Sequence, residues 1–115
     1  MIQEGQIVLF KFPQTDLPSG KLRPALVIRK LPGRFGDWLI CMISSQLTQG
    51  MENFDVTVGE NDIDFKTSGL KTDSVIRISR LAVVSSAVLL GSIGTISEDR
   101  LSIIRNRIAN WIQGA

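Results

Sequence analysis

Along this chain the spacing of apolar positions changes period once, near residue 95. Before that point the runs are strand-like. Gln6-Ile7-Val8-Leu9-Phe10-Lys11-Phe12 is rich in β-branched and aromatic residues, stops at Pro13, and predicts a first strand. Pro24-Ala25-Leu26-Val27-Ile28-Arg29-Lys30 predicts a second, with Pro24 at its start, where a missing N–H removes no ladder hydrogen bond. After a Pro-Gly turn, residues 38–44 are apolar on both faces, which places them at the centre of a sheet. Phe54-Asp55-Val56-Thr57-Val58 alternates as a half-buried strand does. Residues 73–79, 81–84 and 88–90 predict three more short strands. Leu101, Ile104, Ile108 and Ile112 then recur at helical spacing, with Arg100, Arg105 and Arg107 mostly off that line. Ser97 is placed to cap this helix, Glu98 and Asp99 complement its dipole, and Gly114 ends it. The expectation is one domain over residues 1–115, mainly β with a C-terminal α-helix: a small, strongly curved sheet or barrel closed by the helix.

Length agrees, since 115 residues support one apolar core and not two. No apolar run approaches a membrane span, and the first five residues lack the basic and apolar regions of a signal peptide, so a cytoplasmic protein is expected. The lone Cys41 sits in an apolar run and is expected to be a small core residue. The chain has no histidine, which removes the commonest general base and the commonest zinc ligand together. No metal or cofactor is expected, and any chemistry must use Arg, Lys, Asp, Glu, Ser or Thr.

The net charge is only +2, but it is unevenly spread: +3 over residues 1–40, −5 over 41–65 and +4 over 66–115. Basic ends around an acidic middle would suit an anionic ligand, and scattered solvated charges are the alternative. No phosphate loop, dinucleotide fingerprint, HExxH or nucleophile elbow is present. Three weaker features remain: the segment from Asp16 to Arg23, the Ser44-Ser45 pair and the Ser74 to Arg77 strand. Arg23 precedes Pro24, which holds its backbone extended, and its guanidinium suits either a phosphate or an ion pair with Asp16. Ser44 and Ser45 end an apolar strand, either as a simple strand-to-loop transition or as hydroxyls for a phosphate.

Three blocks then acquire a common meaning. Phe12-Pro13-Gln14-Thr15-Asp16-Leu17, running into Lys21-Leu22-Arg23-Pro24-Ala25-Leu26-Val27-Ile28, resembles the N-terminal signature of the PemK/MazF toxins. Ile43-Ser44-Ser45-Gln46 is similar to the family's second block. Gly69-Leu70-Lys71 to Ile76-Arg77, followed by Gly94 to Leu101, resembles its third block and helix. The resemblance implies an SH3-like β-barrel with a C-terminal helix, a homodimer, and a cognate antitoxin as partner. It also implies metal-independent cleavage of single-stranded RNA, in which the substrate's 2′-hydroxyl attacks the adjacent phosphate and leaves a 2′,3′-cyclic phosphate. Under it, Arg23 and Ser44 are the catalytic pair. Arg23 stabilises the phosphorane, because a group with a pKa above about 12 is a poor base, and Ser44 holds a non-bridging oxygen. Asp16, Lys21, Ser45, Gln46, Arg77 and Ser79 are the RNA-binding candidates.

The departure is Ser79, where many members of the family carry an acid. Asp16 is the remaining acidic candidate nearby in the motif. A competing reading follows from Ser79: an inactive member that binds RNA, DNA or only its antitoxin. Trp111-Ile112 is weakly similar to the C-terminus of the gyrase-poisoning toxins of the same fold, but the Arg23–Val27 signature points away from that group.

Overall fold

The computed structural model describes residues 1–11 and 22–114; residues 12–21 and 115, and with them Asp16 and Lys21, lie outside it. The elements are β1 (Gln6–Lys11), β2 (Leu22–Lys30), β3 (Asp37–Ser44), β4 (Val56–Val58), α1 (Phe65–Ser68), β5 (Ser74–Ser85), β6 (Leu89–Thr95) and α2 (Glu98–Gln113), with single 3-10 turns at Leu47–Gln49 and Ser86–Val88. All pairings are antiparallel, in the order β4-β5-β3-β2-β1-β6. The class is the expected one, mostly β with a C-terminal helix. The ladder does not close on itself, however: β4 and β6 are its edges.

Side-chain alternation sorts the strands' apolar residues into two clusters. Ile7, Leu26, Ile28, Cys41, Ile43, Ile76 and Ile78 face α2 and pack with its Leu101, Ile104 and Ile108. Val8, Phe10, Ala25, Val27, Trp38, Ile40 and Leu89 form the second cluster, from the intervening positions. β3 supplies both clusters from between β2 and β5, as its two-faced apolarity requires. Cys41 is fully buried, and burial, aided by the charge of Asp55, pushes its thiol pKa far up.

Several boundaries differ from expectation for visible reasons. Pro24 is the third residue of β2 rather than the first, opposite Leu9; the β3 ladder begins only at Ala25, so Pro24 lies beyond its end. Residues 73–79 and 81–84 belong to one strand, β5, interrupted by a bulge. The apolar stripe of α2 ends at Ile108, and Ile112 is exposed. Helix α1 was not foreseen. Two glycines where it meets β6 are steric necessities: a Cβ on its C-cap Gly69, at φ +76°, would lie 2.1 Å from the carbonyl oxygen of Ile93, and one on Gly94 of β6 would lie 2.2 Å from that of Thr67.

Helix α2 is capped as predicted, Ser97 Oγ accepting the Arg100 N–H at 3.1 Å and Gly114 adopting the left-handed conformation. It is also fastened by its arginines. Arg100 grips buried Asp64 with two bonds of 2.9 Å, reaches Asp62 at 3.0 Å and donates to the Thr57 carbonyl at 3.0 Å. Arg105 donates to the Ile28 carbonyl and pairs with Glu4. Arg107 donates to the carbonyls of Phe54 and Asp55. These three cations are therefore engaged in structure. Part of the basic C-terminal charge neutralises part of the acidic middle, which corrects the simple picture of two free basic ends.

The Arg100 guanidinium holds the Asp64 carboxyl down to about 2, from an ordinary 3.8. A depressed carboxylate stabilises the fold above its unfolded pKa and loses that contribution as pH falls through the folded value. Asp64→Asn should therefore cost about 1.5–3 kcal/mol at pH 7, and the deficit should shrink between about pH 4 and pH 2. Urea unfolding of both proteins at pH 7 and pH 2.5 checks this; a deficit independent of pH would show that charge is not what Asp64 contributes.

Candidate active site

The sheet face carrying Met42 holds a cleft of about 530 Å³ where β2, β3 and β5 lie side by side. Met42 pairs with Ala25 on one side and Arg77 on the other. Arg23 lies two residues before Ala25, and Ser44 two after Met42, so alternation puts both on the face that Arg77 shares. The turn after β3 forms one wall. There Ser44 Oγ accepts the Gln46 N–H at 3.0 Å, and Gln49 Nε2 donates to Gln46 Oε1 at 3.0 Å. Ser44 thus uses a lone pair to hold the turn while its own proton remains free to donate. The structural and functional readings of Ser44 are compatible.

Arg23, Ser44, Ser45, Gln46 and Arg77 all line this cleft. Ser79 does not. Its N–H donates to Asp55 Oδ1 at 2.9 Å and its hydroxyl to Asp55 Oδ2 at 3.0 Å, so it is turned toward β4's end of the sheet. Asp16 and Lys21 fall outside the described residues.

Sequence reading missed two polar lining residues, Gln49 and Arg80. Gln49 follows the Ser-Ser-Gln block by three residues and carries no signal beyond that proximity. Arg80 falls between the strands expected at 73–79 and 81–84, and a regular continuation of the first would send it to the face opposite Arg77.

Electrostatically the cleft is one-sided. Among the described residues, Arg23, Arg77 and Arg80 make no ion pair, and no carboxylate lines the cleft. Arg77 Nε is enclosed with no hydrogen-bond partner among those residues. Buried donors are rarely left so. Three unneutralised guanidiniums with a hydroxyl and carboxamides between them form a receptor for a polyanion.

The family model for PemK-like, MazF-like toxins of type II toxin–antitoxin systems matches residues 3–112. The chain belongs to that family. Its fold is similar to that of the Mycobacterium tuberculosis toxin MazF-mt6, at 16% identity and TM-score 0.65, with 94% of this chain and 96% of that one covered. It is also similar to an endoribonuclease from a mycobacterial species solved in complex with its cognate antitoxin, at 11% identity and TM-score 0.67, covering 98% and 96%. No curated protein matches the chain in sequence. Among the described residues no helix is long and apolar enough to cross a membrane.

Each block of this PemK/MazF-like toxin now has a physical task. The Arg23–Ile28 segment is β2, presenting Arg23 at its open end. The Ile43–Gln46 block ends β3 and builds the cleft wall. Gly69 and Gly94 let α1 lie backbone against backbone on β6, a structural duty remote from the cleft.

Proposed function

We propose that this toxin is an endoribonuclease that cuts single-stranded RNA by using the substrate's own 2′-hydroxyl. One observation carries the reading: Arg23, Arg77 and Arg80, unpaired among the described residues, share a cleft with the free proton of Ser44. In the step, the 2′-oxygen bonds to phosphorus while the bond from phosphorus to the 5′-oxygen breaks. A 2′,3′-cyclic phosphate and a 5′-hydroxyl result. The enzyme need supply no nucleophile. Its task is to meet charge that grows on the phosphoryl oxygens, which preorganised donors do well. Arg23 faces that developing charge and Ser44 donates to a non-bridging oxygen. Arg77, Ser45 and Gln46 hold the flanking strand. The 2′-hydroxyl proton passes to solvent and the departing 5′-oxygen takes one from solvent, since no carboxylate or imidazole is among the described residues lining the cleft.

The described residues hold no group of three His, Cys, Asp or Glu side chains placed to bind a metal, and the proposed step calls for none. The protein would act as a two-fold homodimer whose second copy completes a groove several nucleotides long, and a cognate antitoxin would block it. Val83, Val88 and Leu90, exposed around the β5–β6 turn, offer apolar surface for such contacts. The competing reading, a binding module without catalysis, draws on Ser79, whose side chain is committed to Asp55 and brings no acid to the cleft.

Three outcomes separate these readings. Arg23→Ala should slow single-turnover cleavage of a labelled RNA by about 10²–10³-fold, comparable to losing one transition-state donor. Arg23→Lys should recover little, because it keeps the charge but not the fork, and Ser44→Ala should lose less than Arg23→Ala. A folded Arg23→Ala protein that cuts at the wild-type rate would remove Arg23 from the mechanism. Cleavage should persist in excess EDTA; activity lost to chelator and restored by magnesium would overturn the metal-independent step. The cleavage rate should rise about tenfold per pH unit between roughly pH 6 and pH 8. A plateau above an inflection near pH 5 would instead assign proton abstraction to a carboxylate, with Asp16 the first to test.

A further inference from the structure

The cleft's arginines differ in how they arrive there. Arg77 and Arg80 both come from β5 at a spacing that an uninterrupted strand forbids, because residues three apart project to opposite faces. The register explains the exception. Met42 pairs with Arg77, but the adjacent Cys41 pairs with Leu81, so Ile78, Ser79 and Arg80 bulge out without partners on β3.

Each bulged residue has a separate destination. Ile78 is 1% exposed and sits in the core beneath α2. Ser79 is clasped by Asp55 through its N–H and its hydroxyl. Arg80 emerges into the cleft beside Arg77. Asp55 is itself fixed: Oδ2 also accepts the Met51 N–H at 2.8 Å, and its backbone carbonyl accepts Arg107 of α2 at 3.1 Å. A continuous line of contacts therefore runs from the terminal helix through Asp55 to the bulge.

We infer that Arg77 and Arg80 form a two-armed clamp for one backbone phosphate flanking the scissile one, and that Asp55 and Ser79 are the positioning pair that sets it. The inference rests on reading the cleft as an RNA site. Arg77 Nε is the enclosed donor that a phosphate oxygen would satisfy, and Arg80 is an exposed cation with no ion pair among the described residues. Ser79 is then a fitted part. A carboxylate at this position would meet Asp55 at hydrogen-bond distance, where like charges repel, whereas a hydroxyl donates to it.

The test is binding, measured by fluorescence anisotropy with a mixed-sequence 2′-O-methyl RNA that cannot supply the nucleophile. Arg80→Gln should weaken binding by about fivefold to tenfold near 0.1 M salt and lower the slope of log affinity against log salt by about 0.7, the signature of one lost phosphate contact on a single strand. Ser79→Ala should weaken binding in the same direction by a smaller factor. The Ser79→Ala, Arg80→Gln double variant should bind no worse than Arg80→Gln alone, because the serine acts through the arginine. Thermal melts confirm that each variant is folded. An Arg80→Gln protein with unchanged affinity and slope would remove Arg80 from the phosphate. A Ser79→Ala loss that adds in full to that of Arg80→Gln would break the link between bulge and clamp. Wild-type protein that does not bind this RNA at all would overturn the RNA reading of the cleft itself, an outcome distinct from either of the others.

Discussion

A sheet with apolar side chains on both faces must bury both, and this chain has only one long helix with which to do it. Helix α2 covers the face that carries Ile28, Cys41 and Ile43. The other face, with Val27, Trp38 and Ile40, is buried instead by the sheet's own curvature, with Leu89 of β6 and Ile2 packed against it. That demand explains the irregularities. β1 and β6 change register twice within their short pairing, and β2 and β3 slip once, because strands that bend this far cannot keep a straight ladder. The site lies where curvature no longer provides cover: beyond Met42 and Ala82 the same face that holds the second core becomes the floor of the cleft.

The arginines divide along the same line. On α2 they are spent on backbone carbonyls and carboxylates, and each crosses from the helix to the sheet or the loops beside it: Arg100 to Thr57 and Asp64, Arg105 to Ile28, Arg107 to Phe54 and Asp55. Such bonds satisfy carbonyls on the edge strand β4, at the β2 register shift and in the segment before β4 that would otherwise need water. The cleft arginines, Arg23 on β2 and Arg77 and Arg80 on β5, have no such partners among the described residues, whereas Arg29 of β2, away from the cleft, pairs with Glu4. Residue type alone does not distinguish the two sets. What separates them is whether a carbonyl or carboxylate lies within reach.

This is also where the sequence stops being legible. Strand periods, the two-faced centre of β3, the Ser97 cap and the Gly114 stop could be read from the chain because they depend on neighbours in sequence. Arg23, Ser44 and Ser45 stood out as residues with their functional reading left open, motif resemblance gave them roles and added Gln46 and Arg77 as RNA-binding candidates, and the fold gathers all five into one cleft. Arg80 was not found: it falls between two expected strands, regular alternation from Arg77 would send it to the other face, and only a bulge, formed by pairing between distant strands, brings it to the cleft. The partner of Ser79 was hidden for the same reason: Asp55 is 24 residues away and reads, in its own segment, as one acid among five in residues 41–65. Ile112, by contrast, kept the helical period and is nonetheless exposed, since period alone does not say where the sheet beneath ends.

Ser79 shows how a single departure from a family's pattern changes meaning once its surroundings are known. Read in isolation it is a missing acid. In the fold, the acid stands on the other side of the pair, at Asp55, and the serine is the donor that completes it. Asp55 cannot readily take over proton transfer from there. Its oxygens already accept the Ser79 N–H, the Ser79 hydroxyl and the Met51 N–H, and those bonds occupy lone pairs a base would use. Its contribution is therefore geometric: it fixes the backbone that carries Arg77 and Arg80. For a reaction in which the substrate brings its own nucleophile, such a division is coherent. Under the proposed reaction, catalysis would depend less on a tuned acid and base than on how rigidly the cations are held where charge develops, and the Asp55–Ser79 bonds, outside the cleft, anchor the strand that carries two of those cations.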